Sequence, residues 1–322
     1  MGMSQEAFVK RYQGRWLDLD EMLDRLEKGD LDRPVDDFPE RYQQVCRHLA
    51  VARHRGYSPG VRVNLERLVA RGHTILYQHR PGPWEKILDY VAGGFARDVR
   101  KNWAYLLAAT VAFVLPFLVM MGWIYLDPEV ALDVLGEDMV FQLDAMYGSP
   151  FGDGDRGSED DVMMFGFYIY NNVGIALRTF GAGVMFGLGS LAIILFNGLF
   201  IGAASGYVTA MGYGDQFWPF VIGHGSFELT AIVLAGMAGL KVGAAPIWPG
   251  RRGRVDAIRE AARDSVGIIL GFSVMLIIAA FIEAFWSPRA IDASIRYGVG
   301  AVLWAVVILY FALAGRSYRG TR

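Results

Sequence analysis

Gly223-His224-Gly225-Ser226-Phe227-Glu228-Leu229-Thr230 opens an apolar run that continues through Leu240. A histidine and a carboxylate four residues apart fall on one face of a helix, and the surrounding residues place that helix in hydrocarbon. Ionisable groups there cost about 3 kcal/mol each, so His224 and Glu228 are expected to face a protected, polar interior.

Working outward, the composition agrees. Of 322 residues, 53% are hydrophobic, mean hydropathy is +0.28, and 39 are glycine, a content suited to helices that approach closely in lipid. The fold class expected is all-α: a polytopic helical membrane protein. The formal net charge of −2 hides an asymmetry. Arginines gather at both ends and in one internal loop, carboxylates in another, and this orients the chain. Nothing in the charge pattern suggests a nucleic-acid partner. The single Cys46 excludes an internal disulfide and zinc sites built from several cysteines. The polar N-terminus carries no short apolar stretch, so the first true span is expected to direct insertion.

Residues 1–82 contain no run long enough to cross a bilayer and are expected to form a cytoplasmic helical bundle. Ser4 caps a helix with Phe8, Tyr12, Trp16, Leu19, Leu23 and Leu26 at three- and four-residue spacing, ending at Gly29. Past a turn from Pro34 to Pro39, Tyr42, Val45, Cys46 and Leu49 mark a second helix. Ser58-Pro59 starts a third, with Val61, Leu65, Leu68, Val69, Ile75 and Leu76. Residues 83–102 read as an interfacial helix, with Trp84, Ile87, Leu88, Val91 and Phe95 leading to Arg97, Arg100 and Lys101.

The membrane domain is expected over 103–316, with about six transmembrane helices. The first runs from Trp103 to about Leu126 and is kinked by Pro116. An acidic extracytoplasmic loop, 127–164, follows; its carboxylates from Asp127 to Asp161 are opposed by Arg156 alone, and Gly148 to Asp161 reads as disordered. Phe165 to Met211 is apolar over about 70 Å of helix, far beyond a hydrocarbon thickness of ~30 Å, so it must fold back. Two short helices turning near Gly187 to Ser190 fit; a re-entrant pair that never fully crosses is the alternative. A basic loop with Lys241, Arg251, Arg252, Arg254, Arg259 and Arg263 is cytoplasmic by the same rule. Spans at about Phe217 to Leu240, Val266 to Trp286 and Ile295 to Ala314 complete the count. Both termini, including the tail 317–322, are expected in the cytoplasm, and the protein in the inner membrane.

This orientation assigns depth. His224 and Glu228, Glu283 in the next span, and Asn171-Asn172 in an earlier one all fall in the outer half of the membrane, where burial against one another removes most of the desolvation cost. Asn197 falls nearer the inner half. Arg178 is either mid-membrane or able to pair with Glu228 or Glu283. The candidate polar or ligand-binding cluster is therefore Asn171, Asn172, Arg178, Asn197, His224, Glu228 and Glu283, and a divalent metal is the cofactor that His224, Glu228 and Glu283 could hold. The structural alternative is that these residues only fix helix packing. Glycines at 181, 183, 187, 189, 198 and 202 have small-xxx-small spacings expected to pack against the His224 helix or a second copy of the chain. Ser226 is no hydrolase nucleophile, since residues two apart on a helix do not face each other and Gly-His-Gly-Ser-Phe is not a nucleophile elbow. His48, His54, His73 and His79 lack a ligand constellation.

These residues resemble the stage II sporulation protein M family of bacterial and archaeal membrane proteins. The likeness is carried by Asn171-Asn172, Gly181-Ala182-Gly183, Asn197-Gly198 with Gly202, His224-Gly225 with Glu228-Leu229, Gly236 to Gly239, and Ile282-Glu283-Ala284. The N-terminal part is similar to the long proteobacterial branch through Phe8, Trp16, Arg41-Tyr42, Leu49-Ala50, Asn64-Leu65, Leu68-Val69 and His73 to Tyr77. The resemblance implies a non-enzymatic membrane scaffold, since the namesake serves a complex with peptidoglycan-degrading enzymes during engulfment; this chain departs from its shorter form by the N-terminal bundle. Two function classes follow. One is an anchor of an envelope complex, with a lipid bilayer, further copies of itself and envelope or cytoplasmic proteins as partners. The other is a membrane-embedded ligand or ion site, or a metal-dependent intramembrane hydrolase, using His224, Glu228 and Glu283.

Overall fold

A computed structural model describes residues 3–28, 37–78, 83–148 and 158–316. The helix end at Gly29, the Pro34 turn, His79, the Pro81-Gly82 break, residues 149–157 and the tail 317–322 lie outside the described residues; the end of the stretch read as disordered, Ser158 to Asp161, is instead the first turn of a helix, with Asp161 buried and paired with Arg289. Every regular element among the described residues is helical, and the chain divides into two compact units, Met1–Ile87 and Leu88–Tyr318.

The first unit is a three-helix bundle of α1 (Gln5–Glu27), α2 (Phe38–His54) and α3 (Pro59–Gln78). Ser4 Oγ accepts from Ala7 N, capping α1. The apolar stripes converge on Phe8, Trp16, Leu19, Leu23, Phe38, Val45, Leu49, Leu65 and Leu68. Outside the core, Arg71 on α3 ties the bundle to α1 through Asp20 (2.5 Å), Asp24 (2.5 Å) and Glu27 (2.7 Å). Inside it, Trp16 Nε1 donates to His48 Nδ1 at 3.0 Å, a bond that needs the neutral imidazole.

The bundle's response to acid follows from these contacts. Burial, then the Arg15 and Arg47 charges, hold His48 below its ordinary value. The Arg71 hydrogen bond holds both Asp24 and Glu27 low. Each folded value is depressed, so each contribution is fully present above the unfolded value and is lost as pH falls through the folded one. Protection from hydrogen exchange over residues 5–76 of the full-length protein, taken relative to the intrinsic rate at each pH, is expected to fall in two stages, below about pH 6.5 and again below about pH 4. His48→Gln should remove the first stage and Arg71→Gln the second; a single stage unmoved by either substitution refutes the assignment.

Past α4 (Pro83–Asp89), within which the division between the units falls, come a π-helical turn (Tyr90–Gly94) and α5 (Phe95–Lys101). Then come α6 (Trp103–Leu126), α7 (Val130–Leu135), α8 (Glu137–Tyr147), α9 (Ser158–Tyr168), a second π-helical turn (Ile169–Val173), α10 (Gly174–Gly181) and a 3-10 turn (Ala182–Val184). The rest is α11 (Leu188–Ala210), α12 (Gly214–Ala244), α13 (Arg254–Phe281), a third π-helical turn (Ile282–Trp286) and α14 (Ala293–Leu313). Five helices, among them α13 with its π turn, are long and apolar enough to cross a bilayer, so the chain is a multi-pass membrane protein.

Five such helices among the described residues stand beside the expected count of about six. The folded-back segment does turn sharply, at Phe186 (φ +54°) and Gly187 (φ +81°). Its first arm runs from Ser158 through α9, the π turn and α10 to Gly181 and a 3-10 turn, and is not among the five helices long and apolar enough to cross. The residues read as a basic loop are also mostly helical, because α13 starts at Arg254 and carries Arg254, Arg259 and Arg263 on its first turns. Long arginine stems let a helix run out of hydrocarbon while its charges stay in water. Part of the acidic loop, in turn, folds as α7 and α8, whose Ala131, Val140, Leu143 and Tyr147 pack with Met120, Ile124, Ala203 and Phe217.

Close glycine contacts hold the second unit together. Gly198, Gly202 and Gly206 on α11 lie against the backbone of Phe113, Phe117 and Met121 on α6, at four-residue spacing on both sides; a Cβ at Gly206 would sit 2.6 Å from the Met121 carbonyl oxygen. Gly183 and Gly187 lie against Gly239 and Gly243 of α12, the His224 helix. Within this hairpin, the buried Ser190 hydroxyl donates to the Thr179 carbonyl at 2.5 Å. Leu107, Val111, Leu115 and Leu118 on α6, with Val302, Val306 and Leu309 on α14, are left exposed along the outside, the faces that meet lipid.

Candidate functional site

α12 is the central helix of the second unit, packed by α6, α10, α11, α13 and α14. His224 lies about 15 Å along it from the Gly214 end. Helical spacing brings Glu228 beneath the imidazole, with His224 Nε2 3.9 Å from Glu228 Oε2. Gly223 and Gly225 flank the histidine for a steric reason on one side: a Cβ at Gly223 would lie 2.8 Å from the Trp286 ring.

The third member arrives from the next helix. Glu283 sits in the π-helical turn that ends α13, where the extra residue per turn rotates the following side chains relative to the helix before it. One ligand atom each from His224, Glu228 and Glu283 lies within 4.8 Å of the others. A tetrahedral zinc site has edges of about 3.5 Å, so rotation of the two flexible glutamates would close this triangle onto a metal. Among the described residues this is the group of His, Cys, Asp or Glu side chains with that geometry.

The histidine is oriented from behind. Its Nδ1 lies 3.5 Å from Ser287 Oγ, and the Phe220 carbonyl accepts from the ring. A proton placed on Nδ1 by these partners leaves the Nε2 lone pair pointing at the carboxylates, the tautomer a metal-binding histidine needs. Glu283 receives a hydrogen bond from Tyr168, while its Oε2 is buried with no hydrogen-bond partner. Two nearby carboxylates in a dry site require positive charge between them, either a proton or a cation.

The site is covered. His224 is 5% exposed, and Phe220 meets its ring edge to face at 5.4 Å. Tyr147, the last residue of α8 and also 5% exposed, packs on Phe217 (5.3 Å) and Phe220 (6.3 Å). Burial, and then the neighbouring Glu283, push its hydroxyl well above the ordinary tyrosine value, so it remains a neutral donor. α8 is fastened by Asp144, which accepts from Tyr207 of α11 at 2.9 Å.

The other sequence candidates are placed differently. Asn172 is buried in the π turn after Tyr168 and accepts from Asn171 Nδ2 at 2.9 Å. Arg178 is exposed and donates to the Gly174 carbonyl of its own helix at 3.0 Å, so the expected pairing with Glu228 or Glu283 is not what its guanidinium does. Asn197 likewise donates to its own helix, at Ile193 O, 2.8 Å away. Tyr147, Tyr168 and Ser287 escaped the sequence reading. Tyr168, three residues before Asn171 in an apolar run, was the one with a visible signal.

Comparison with known proteins rests on both units. A family model described as a domain of unknown function matches residues 6–78. An uncharacterized protein of Methanocaldococcus jannaschii is 23% identical over 162 residues, covering 47% of this chain and 91% of that protein. No solved structure matches. The model of Stage II sporulation protein M matches residues 105–288, more than half of the chain and all of the His224, Glu228 and Glu283 site. The chain belongs to the Stage II sporulation protein M family.

Proposed function

We propose that this protein is a non-enzymatic anchor of a cell-envelope complex in the inner membrane, and that its spanning domain is organised around a cation held by His224, Glu228 and Glu283. The observation that carries this reading is the triangle itself: two carboxylates and an imidazole with ligand atoms within 4.8 Å of one another, the imidazole packed against Phe220. An ion fits such a space. A hydrolase acting on a lipid-linked substrate must bring that substrate to the ligands, and His224 is only 5% exposed beside the half-buried Glu228 and Glu283. The scaffold role of the family's namesake agrees, with the N-terminal bundle and the α7–α8 roof each offering a contact surface.

Full-length protein purified without chelator is expected to carry about one divalent metal ion per chain by elemental analysis, and Glu283→Gln to carry none. Metal-free parent protein that is indifferent to added zinc and manganese would remove the metal and leave a shared proton as the cation. Orientation is tested separately. With Cys46 changed to serine, a cysteine at the exposed Glu159 should be labelled in intact cells by an impermeant maleimide, and one at the exposed Asp256 only after lysis; labelling of position 256 in intact cells contradicts the topology.

A further inference from the structure

A second polar cavity, of about 220 Å³, lies at the opposite end of the helix pair from the Glu283 turn, between the last turn of α12 and the first turns of α13. Its floor is made of small residues, Ala244, Ala245, Ala257 and Ala261, which leave the space open. Its walls carry two charges of each sign. Arg252 Nε lies 2.8 Å from Glu260 Oε2, and Lys241 Nζ lies 3.7 Å from Asp264 Oδ2. The Lys241 side chain is only 14% exposed while the other three charges reach solvent, and its ammonium, with three N–H donors and a long contact to Asp264, has donors left for a further acceptor. At the rim stand Tyr105 and Trp248, the latter 77% exposed, beside the exposed Ile247. Amphipathic rings of this kind sit at headgroup level, and the surrounding Arg251, Arg254 and Arg259 mark the anionic leaflet's side.

A ligand that satisfies these walls must offer acceptor oxygens to Lys241 and Arg252 and a hydrogen-bonding cation to Glu260 and Asp264 within the same short span. A plain anion meets repulsion from the two carboxylates. A quaternary ammonium has no N–H to give them. We propose that this cavity binds a phosphoethanolamine group, its phosphate at Lys241 and Arg252, its primary ammonium at Glu260 and Asp264, with Trp248 and Tyr105 flanking the glycerol and acyl part of a membrane lipid.

The full-length protein would be reconstituted in vesicles of phosphatidylcholine mixed equally with phosphatidylethanolamine or with phosphatidylglycerol, extracted in mild detergent, and its retained lipid counted by native mass spectrometry. Phosphatidylethanolamine should be retained about tenfold over the other two, the size expected for losing one charge-assisted contact. Asp264→Asn should erase the preference, and so should Ala244→Leu, which fills the floor without touching a charge, whereas Lys241→Gln should lower the retention of all three lipids together because the phosphate is common to them. The metal-site variant Glu283→Gln should keep it, so the two sites fail independently. Delipidated parent protein mixed with free phosphoethanolamine identifies the source: protection from heat equal to that given by the lipid means a soluble ligand, and protection by the lipid alone means a membrane one. Equal retention of the three lipids by the parent protein, or a preference that survives in Asp264→Asn and Ala244→Leu, overturns the proposal.

Discussion

Gly183→Leu is expected to prevent the spanning domain from reaching a monodisperse folded state in detergent. A Cβ at residue 183 would lie 2.7 Å from both the Cα and the carbonyl carbon of Gly239, which are backbone atoms that cannot rotate away. A Cβ at the facing Gly243 would likewise lie 2.6 Å from the Gly183 carbonyl oxygen. Two small-xxx-small ridges, 183/187 and 239/243, therefore interlock, and a side chain in that seam must push the hairpin off α12. Overpacking at a site able to relax costs about 1–3 kcal/mol; with backbone on both sides the cost belongs at or above the upper end, a large fraction of any domain's stability. Gly166→Leu and Gly122→Leu supply the control, because an added Cβ at either meets nothing within 4 Å. Thermal midpoints by scanning fluorimetry, with size-exclusion profiles, read the difference. A Gly183→Leu protein as stable as Gly166→Leu would show that the seam is not a structural contact.

The same interlock shows what the sequence could say and where it stopped. Hydropathy and the basic and acidic runs were enough to place the spans, to require a fold-back between Phe165 and Met211, and to put His224, Glu228 and Glu283 at similar depth, because each inference needs only local composition and a helical period. The turn itself was legible because the segment was too long to be one crossing. Register inside a helix was not legible. The π-helical turns at Ile169–Val173 and Ile282–Trp286 insert a residue that no local preference announces, and they decide which way Asn172 and Glu283 face. The roof was hidden for a related reason. Val140, Leu143 and Tyr147 look like scattered apolar residues in an acidic loop until α11 and α12 supply the surface they cover. Arg178 and Asn197 show the opposite error, since a polar side chain in lipid can satisfy itself on its own helix, at Gly174 O and Ile193 O, without seeking a cluster.

Glu228→Gln is expected to lower the stability of the metal-loaded protein by about 3 kcal/mol and to abolish its metal content, and the sign of the first effect is the informative part. Two carboxylates with oxygens no more than 4.8 Å apart repel by at least about 3.5 kcal/mol at an effective dielectric constant near 20 if nothing lies between them. Without a metal, removing one charge relieves that repulsion or releases a shared proton, so the glutamine variant should be as stable as its parent or more so. With a metal, the same substitution deletes a ligand and leaves Glu283 and the His224 Nε2 lone pair around an incomplete site, which destabilises. Chelation separates the two effects within one protein. A chelator should lower the parent's thermal midpoint toward that of Glu228→Gln and leave the variant unmoved, because the stabilisation it removes is already gone. A variant more stable than its parent, in a protein whose midpoint ignores the chelator, would show that a proton holds the two glutamates together.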